Sequence, residues 1–383
     1  MVLTTGACLY LLVLTCLSGR GAAARLPTRT PFFDVIVPAH NEAAGIQRTI
    51  SNLRQLDWPA RRFRVVVIAD NCTDDTARVA REAGAVVVER RDPENRGKGY
   101  ALAHVFRWSR AKGMADAVVV VDADSEASAN LLQSFAARLE LGSHAVQAHY
   151  GVLNEEASWR TRLMAIALGS IHRLRSRARE RLGLSCGIRG NGWCVTHALL
   201  DKIPYEAYGL TEDVEFGIEL GLAGYRVAYC DAAHVDGEMV STESAARSQR
   251  QRWEGGRLRL IRDKVPALLR RAVTGPSRVC LDLALDLLIL PLSYIVLSAA
   301  ALFAVAVALS LMSASPSNLA LLGAASVDCA ALAAYVCRGW ALSGIGMRGF
   351  WDLLRVPGFI LWKLLLLVSG PKTTTWIRTR RER

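Results

Sequence analysis

The sequence predicts an α/β fold: a mostly parallel, doubly wound sheet with flanking helices, and membrane-crossing helices at both ends of the chain. Three observations predict it. From Phe33 onward, short β-branched runs alternate with helical stretches, the pattern of βα units and a parallel sheet. The run AVVVVDADS, residues 117–125, has no helical or alternating period, so it reads as a strand buried on both faces. The apolar residues, 51% of the chain, are concentrated at its two ends.

The elements follow in order. Residues 7–18, ACLYLLVLTCLS, form an apolar run. GAAA at 21–24 resembles a signal-peptide cleavage site. No basic residue precedes the run, however, while Arg20, Arg25 and Arg29 follow it. That asymmetry favours an uncleaved anchor, N-terminus outside and the next segment in the cytoplasm. The run is short for a full span, so residues 1–5 must contribute. FFDVIVP is a strand and AHNEAAGIQRTISNLRQL a helix. FRVVVIAD is a strand, and NCTDDTARVAREAG a helix with Asp and Thr caps and a Gly stop. AVVVER is a strand, and residues 91–113 are a loop and helix leading to the 117–125 strand.

Ligands of such sheets sit outside the carboxyl ends of the strands. Those ends carry Pro38-Ala39-His40-Asn41-Glu42, Asp70-Asn71, the loop from Arg91 to Lys98, and Asp122-Ala123-Asp124. Four polar clusters on one edge form a candidate site. Asp122 and Asp124 are two apart in an extended chain and point to the same side. Paired carboxylates, completed by phosphate oxygens, suit Mg²⁺ or Mn²⁺. Lys98 stands between glycines at a helix start, an arrangement apt for phosphate. It is not a Walker A lysine, because Gly99 stands where Ser or Thr must follow. Asn41-Glu42 and Asp70-Asn71 serve equally well as helix caps, and the residues alone leave both readings open.

Residues 159–184 read as an amphipathic helix with Arg173, Arg175, Arg177, Arg179 and Arg181 crowded off its apolar stripe. Two destinations are open for them: a solvated face, or a membrane or phosphate surface. SCGIRGNGW, residues 185–193, places three glycines around Asn191 and implies close backbone approach to a ligand or strand. Glu212 and Asp213 open a helix after Thr211, where acidic residues also serve the helix dipole. Gln249-Arg250-Gln251-Arg252-Trp253 opens a basic helix. The organisation read from this is a membrane anchor and linker at 1–30, a domain at 31–265, and a membrane region at 266–372. That region holds spans near 280–312 and 317–337 and an interfacial or re-entrant segment at 349–370. A basic tail follows at 373–383.

The net charge is +12, from 47 Lys and Arg against 35 Asp and Glu. It points to anionic partners such as lipid head groups or nucleotide phosphates. No nucleic-acid-binding signature accompanies it. The nine cysteines show no zinc spacing and lie partly in apolar runs, as reduced small hydrophobes do.

With Asp70, Asp122-Ala123-Asp124, Thr211-Glu212-Asp213 and Gln249-x-x-Arg252-Trp253 in this order, the chain resembles family 2 glycosyltransferases. It is most similar to the membrane-bound branch with cellulose, hyaluronan and poly-N-acetylglucosamine synthases and ceramide glucosyltransferase. The resemblance implies a GT-A nucleotide-binding domain on the cytoplasmic side of a cell or inner membrane. It implies that Pro38, Asn41, Glu42 and Asp70 hold the nucleoside and that Lys98 lies near the diphosphate. Asp122 and Asp124 then bind the nucleotide-sugar and its Mg²⁺ or Mn²⁺, and Asp213 is the general base. Glu212, Gln249, Arg252 and Trp253 face the diphosphate and acceptor. The implied reaction is inverting transfer from a nucleotide-diphosphate sugar, such as a UDP-sugar, to a glycan or lipid-linked acceptor, giving a β-linkage. Membrane lipids are partners and nucleic acid is not. Two departures stand out: Ser125-Glu126 follows the D-A-D, and the membrane segments are fewer than in long-chain polymer synthases. The rival readings are a sugar nucleotidyltransferase, whose glycine-rich first loop is absent from PAHNEAAG, and a catalytically silent membrane subunit that binds nucleotide-sugar.

Overall fold

The computed structural model of the chain describes residues 1–21, 26–240, 243–356 and 358, and the side chains of all of these except 243–252. Among them, eight strands form one sheet: β1 (Phe33–Ala39), β2 (Phe63–Asp70), β3 (Val86–Arg90), β4 (Ala117–Val120), β5 (Ser125–Ala127), β6 (Ala145–Val152), β7 (Trp193–Thr196) and β8 (Val227–Gly237). Their order is β3-β2-β1-β4-β7-β6-β8-β5. The first four are parallel, with Val35 opposite Val65 and Phe33 opposite Ala117. Beyond them the sheet is mixed. β7 is antiparallel to β4 and β6, β8 is parallel to β6, and β5 is antiparallel to β8. The strand–helix alternation covers only residues 33–125 and is silent on this second half.

The uninterrupted valine runs bury both faces, because successive side chains alternate across a strand. Val35, Val37, Val67 and Val119 pack on one face with Ile46, Ile50, Leu131 and Phe135. Ile36, Val66, Ile68 and Val120 pack on the other with Ala101, Leu102, Val105 and Phe106. The covering helices on the first face are α2 (Ile46–Leu53), α3 (Thr76–Glu82) and α5 (Leu131–Glu140); α4 (Lys98–Lys112) covers the second. They follow α1 (Val2–Leu17) and precede α6 (Trp159–Leu168), α7 (Arg175–Arg181), α8 (His197–Leu200) and α9 (Glu212–Leu222). Next come α10 (Glu243–Thr274), α11 (Arg278–Leu288), α12 (Leu292–Met312), α13 (Pro316–Ser343) and α14 (Gly346–Asp352).

Three sequence expectations change here. The 159–184 helix is interrupted by a π-helical turn, Gly169–Leu174, which rotates the arginines that follow. Arg175, Arg177 and Arg179 are buried, in neither of the two places read from the sequence. They pair with Asp231, Asp282 and Asp286. The 280–312 stretch is two helices, because Pro291 removes a backbone donor and breaks the ladder between α11 and α12. The described helices long and apolar enough to cross a membrane are α12 and α13. α1 has 16 residues, about 24 Å at the helical rise, against about 30 Å of hydrocarbon. It packs on α12, α13 and α7 through Cys8, Leu11 and Leu14. Its Thr5 hydroxyl donates to Asp328 of α13 at 2.8 Å, and Arg338 of α13 donates to the Ser18 hydroxyl at 3.0 Å. The two helices therefore run in the same direction. Residues 22–25, which include the three alanines of the cleavage-like GAAA, and the 373–383 tail lie outside the described residues, as does most of 349–370.

Candidate active site

The site is built where β4 ends. Its four buried residues end at Val120, buried Val121 follows, and the chain turns through Asp122, Ala123 and Asp124 into β5. Thr49 of α2 pins this turn by donating to the Ala123 carbonyl at 2.8 Å. Opposite it lies the glycine-rich stretch 186–192. Asn191 is fully buried and clamps both ends of the turn. Its side-chain oxygen accepts from the Asp122 backbone N–H at 3.0 Å, and its amide donates to the Ser125 hydroxyl at 2.7 Å. Ser125 in turn donates to the Asp124 carboxylate at 3.2 Å. Gly192, at φ +67°, lies so close to Val235 that a Cβ would come within 2.8 Å of it. Only glycine fits that approach.

Lys98 links the elements. At the first position of α4, its ammonium donates to Asp122 at 2.5 Å and to the Gly190 carbonyl at 2.8 Å. Gly99 lets α4 start this close, since a Cβ there would fall 2.2 Å from the Ala207 carbonyl oxygen. Gly190 touches the third partner: a Cβ on it would stand 3.3 Å from the Asp213 carboxylate. Asp213 and Glu212 open α9, deep in the protein yet with some solvent contact. Burial and the neighbouring Asp213 push Glu212 up to about 7, against the pull of Lys98. Burial also raises Asp213, while Lys98 and Arg189 oppose it. Burial works against the Lys98 ammonium, but Asp122, Glu212 and Asp213 hold its pKa above the ordinary value. Tyr205 lies buried beside this acidic pair, and its hydroxyl has no hydrogen-bond partner among the described residues.

The other strand ends knit into one rim. Asn41 and Asn71 both take positive φ, +57° and +50°, where the chain leaves β1 and β2. The Asn41 side-chain oxygen accepts from the Thr73 N–H at 2.7 Å. The Glu42 N–H donates to Thr76 at 2.7 Å. The Asp70 carboxylate is held by buried Arg90 at 2.6 Å, and Arg90 also reaches Asp92 at 2.8 Å. Arg90, which the sequence reading leaves out, pairs with Asp70 at this rim. Pro38 lies within β1, opposite Ile68. Trp253 lies on α10, 36% exposed, and Gly256 one turn on packs against Thr211 at the start of α9. The side chains of Gln249 and Arg252 lie outside the described residues.

Asp122 and Asp124 bring two carboxylates to one turn. Among the described residues no group of three or more His, Cys, Asp or Glu surrounds a common point. The donor set fits a hard divalent cation whose remaining oxygens come from a diphosphate.

Residues 30–256 match the family profile described as "Glycosyltransferase like family 2". The chain belongs to that family. It is similar to the beta-monoglucosyldiacylglycerol synthases of Nostoc sp. (29% identical over 241 residues) and Synechocystis sp. (30% over 254 residues). These matches cover 60% and 63% of this chain and 50% of each relative. The chain thus spans about half the length of the curated relatives it matches. Its fold is similar to that of "Mannosyltransferase PcManGT from Pyrobaculum calidifontis in complex with GDP-Man and Mn2+", at a TM-score of 0.54 and 18% identity. That likeness covers 91% of this chain and 96% of the other.

For this family 2 member, sequence reasoning marked Lys98, Asp122, Asp124, Glu212 and Asp213 and missed Gln147, Arg189 and Asn191 as site builders. Gln147 donates to the Asn191 and Gly192 carbonyls at 2.7 and 3.2 Å and accepts from the Arg189 N–H at 2.8 Å. The three glycines around Asn191 were the signal for the loop. Nothing local marked Gln147, which sits mid-strand in β6.

Proposed function

We propose that this chain transfers a sugar from a nucleotide-diphosphate sugar, such as a UDP-sugar, to a glycan or lipid-linked acceptor at a membrane, with inversion and a β-linkage. The observation that carries the reading is the meeting of Lys98, Asp122 and Asp213 around Gly190. Cation, metal-type carboxylate and raised base share one crevice at the strand ends. Asp213 takes the proton of the acceptor hydroxyl as its oxygen attacks the anomeric carbon. The anomeric C–O bond breaks with its electron pair going to the diphosphate, whose growing charge faces Lys98. Asp122 and Asp124 would hold a Mg²⁺ or Mn²⁺, which when bound would add charge stabilisation to the departing diphosphate.

The membrane placement rests on α12 and α13. Phe303, Val305, Leu311, Met312, Leu319 and Val327 all face outward, so most of this apolar surface lies on the outside of the folded chain. Such a surface suits lipid better than water. On this reading the catalytic domain, joined to the Leu292 end of α12 and the Ser343 end of α13, lies on the cytoplasmic side, as the basic residues Arg20, Arg25 and Arg29 after the first apolar run support. The relatives named for a glycolipid product favour a lipid acceptor over a long polymer.

The test incubates membranes holding the full chain with a panel of labelled nucleotide-sugars and sizes the extracted product. A β-linked glycolipid or glycan from the wild type, absent with Asp213→Asn, is expected. Near-normal turnover by D213N removes the base assignment. Donor binding without turnover on any lipid or glycan favours the silent-subunit reading.

A further inference from the structure

We infer that Asp286 on α11 is a positioning residue which, through Arg189, holds the 186–192 loop against the donor site. The inference rests on the reading of Lys98, Asp122 and Asp213 given above.

Three arginines converge on the Asp286 carboxylate. Arg175 reaches it at 3.1 Å, Arg179 at 2.8 Å and Arg189 at 3.1 Å. Arg175 and Arg179 belong to the membrane side, since Arg175 donates to the Tyr335 hydroxyl of α13 and Arg179 to the Tyr10 hydroxyl of α1. Arg189 belongs to the site side. Its guanidinium also donates to the Cys186 carbonyl at 3.0 Å, and its N–H to Gln147. The residues that follow are Gly190, which receives Lys98 and abuts Asp213, and Asn191, which clamps Asp122 and Ser125.

The same end of α11 holds a second element. Arg257 of α10 donates to the carbonyls of Asp286, Leu287 and Ile289, the orphan acceptors where the helix stops before Pro291. α10 carries Trp253 and packs on Thr211. Val214 and Gly217 of α9 line a small cavity with Arg189, Leu283 and Asp286. The Asp286 carboxylate thus joins the loop to α7, and through α7 to α13 and α1, while the backbone carbonyls of the same helix end receive α10. A surface pair does not have this reach. Mostly enclosed and held by three arginines, Asp286 fixes where Arg189 points, and a loop displaced by a fraction of an ångström moves Gly190 relative to both Lys98 and Asp213.

The experiment compares Arg189→Gln with Arg175→Gln in the full chain reconstituted in nanodiscs. Both lose one arm of the same carboxylate, but only Arg189 touches the loop. Three quantities are read: affinity for UDP and GDP with Mn²⁺; turnover of UDP-glucose and GDP-mannose on diacylglycerol vesicles; and hydrogen exchange of residues 186–192. R189Q is expected to lose kcat on the order of 10- to 100-fold, with faster exchange at 186–192. R175Q, measured below its unfolding temperature, is expected to stay within about threefold of wild type. R189K, which keeps the buried charge, replaces R189Q where the latter does not fold, and is expected to recover part of the rate. Equal behaviour of R189Q and R175Q in rate and exchange overturns the inference. A wild-type protein that neither binds the nucleotides nor turns over donor defeats the function reading instead, and the exchange difference at 186–192 then still decides the positioning role.

Discussion

Two ion-pair sites in this molecule share contact chemistry and differ in everything around it. Lys98 meets Asp122 at 2.5 Å with side chains 26% and 29% exposed, at the mouth of the strand ends. Arg179 meets Asp282 at 2.7 Å with 0% and 7% exposed, inside the junction of α7, α11 and α1. The first is half-open: water or a diphosphate can reach the ammonium and compete with its carboxylate. The second is closed, with Tyr10 donating to Asp282 and accepting from Arg179. An open pair is poised to exchange partners with a ligand. A closed pair fixes position, because breaking it leaves a buried charge without compensation. Burial, and not contact distance, separates binding chemistry from scaffolding here.

The largest effect that tests this contrast is Asp213→Asn. It is expected to lower kcat on the order of 10³-fold while the melting temperature stays near wild type; a steady-state assay beside a thermal scan checks both. At the closed site the balance reverses. Asp282→Asn is expected to cost about 3 kcal/mol of stability, seen as a lower melting temperature in detergent, with the turnover of the folded fraction kept. A D282N protein that melts normally but turns over poorly breaks the contrast.

The next effect is a pH dependence. The proposed base works ionised, and burial raises its pKa, so kcat is expected to fall on the acid side at a higher pH than an ordinary aspartate gives. Glu212→Gln removes the neighbouring carboxyl, whose own pKa is pushed up to about 7. It also has a stability signature. A carboxyl raised from 4.5 to about 7 makes the folded state bind more protons than the unfolded one. The destabilisation it causes is therefore absent below the unfolded value and grows as pH rises through the folded one. E212Q should match wild type in melting temperature at low pH and exceed it above neutrality; a constant gap across the range contradicts the assignment. The smallest effect belongs to the solvated helix pair of Arg78 with Glu82. Arg78→Ala should leave the melting temperature unchanged within error.

Much of the site was readable before folding because its signals are local. The valine run of β4, the D-A-D turn, Lys98 between two glycines and the acidic start of α9 each carry their meaning within a few residues. The arginines of 173–181 show the opposite. Their helical spacing fixed which side of the helix they occupy, but not the π-helical turn that reorients them. Their partners Asp282 and Asp286 lie more than a hundred residues away. Asp70 was legible as a polar residue at a strand end, but its partner Arg90, the last residue of β3, carries no local mark. Trp253 was legible as part of a spaced motif, and only the contact of Gly256 with Thr211 brings its helix to α9.

By itself the sequence determined the alternating strands and helices of residues 33–120, the parallel first half of the sheet, and the apolar character of the two C-terminal helices. Each of these follows from periodicity and backbone preference, which act over one or two turns. Only the tertiary structure decided the antiparallel insertion of β7, the meeting of Lys98 and Asp213 across Gly190, and the arginine junction on α11. Those depend on which distant groups become neighbours, and a buried charge takes its role from the partners that surround it.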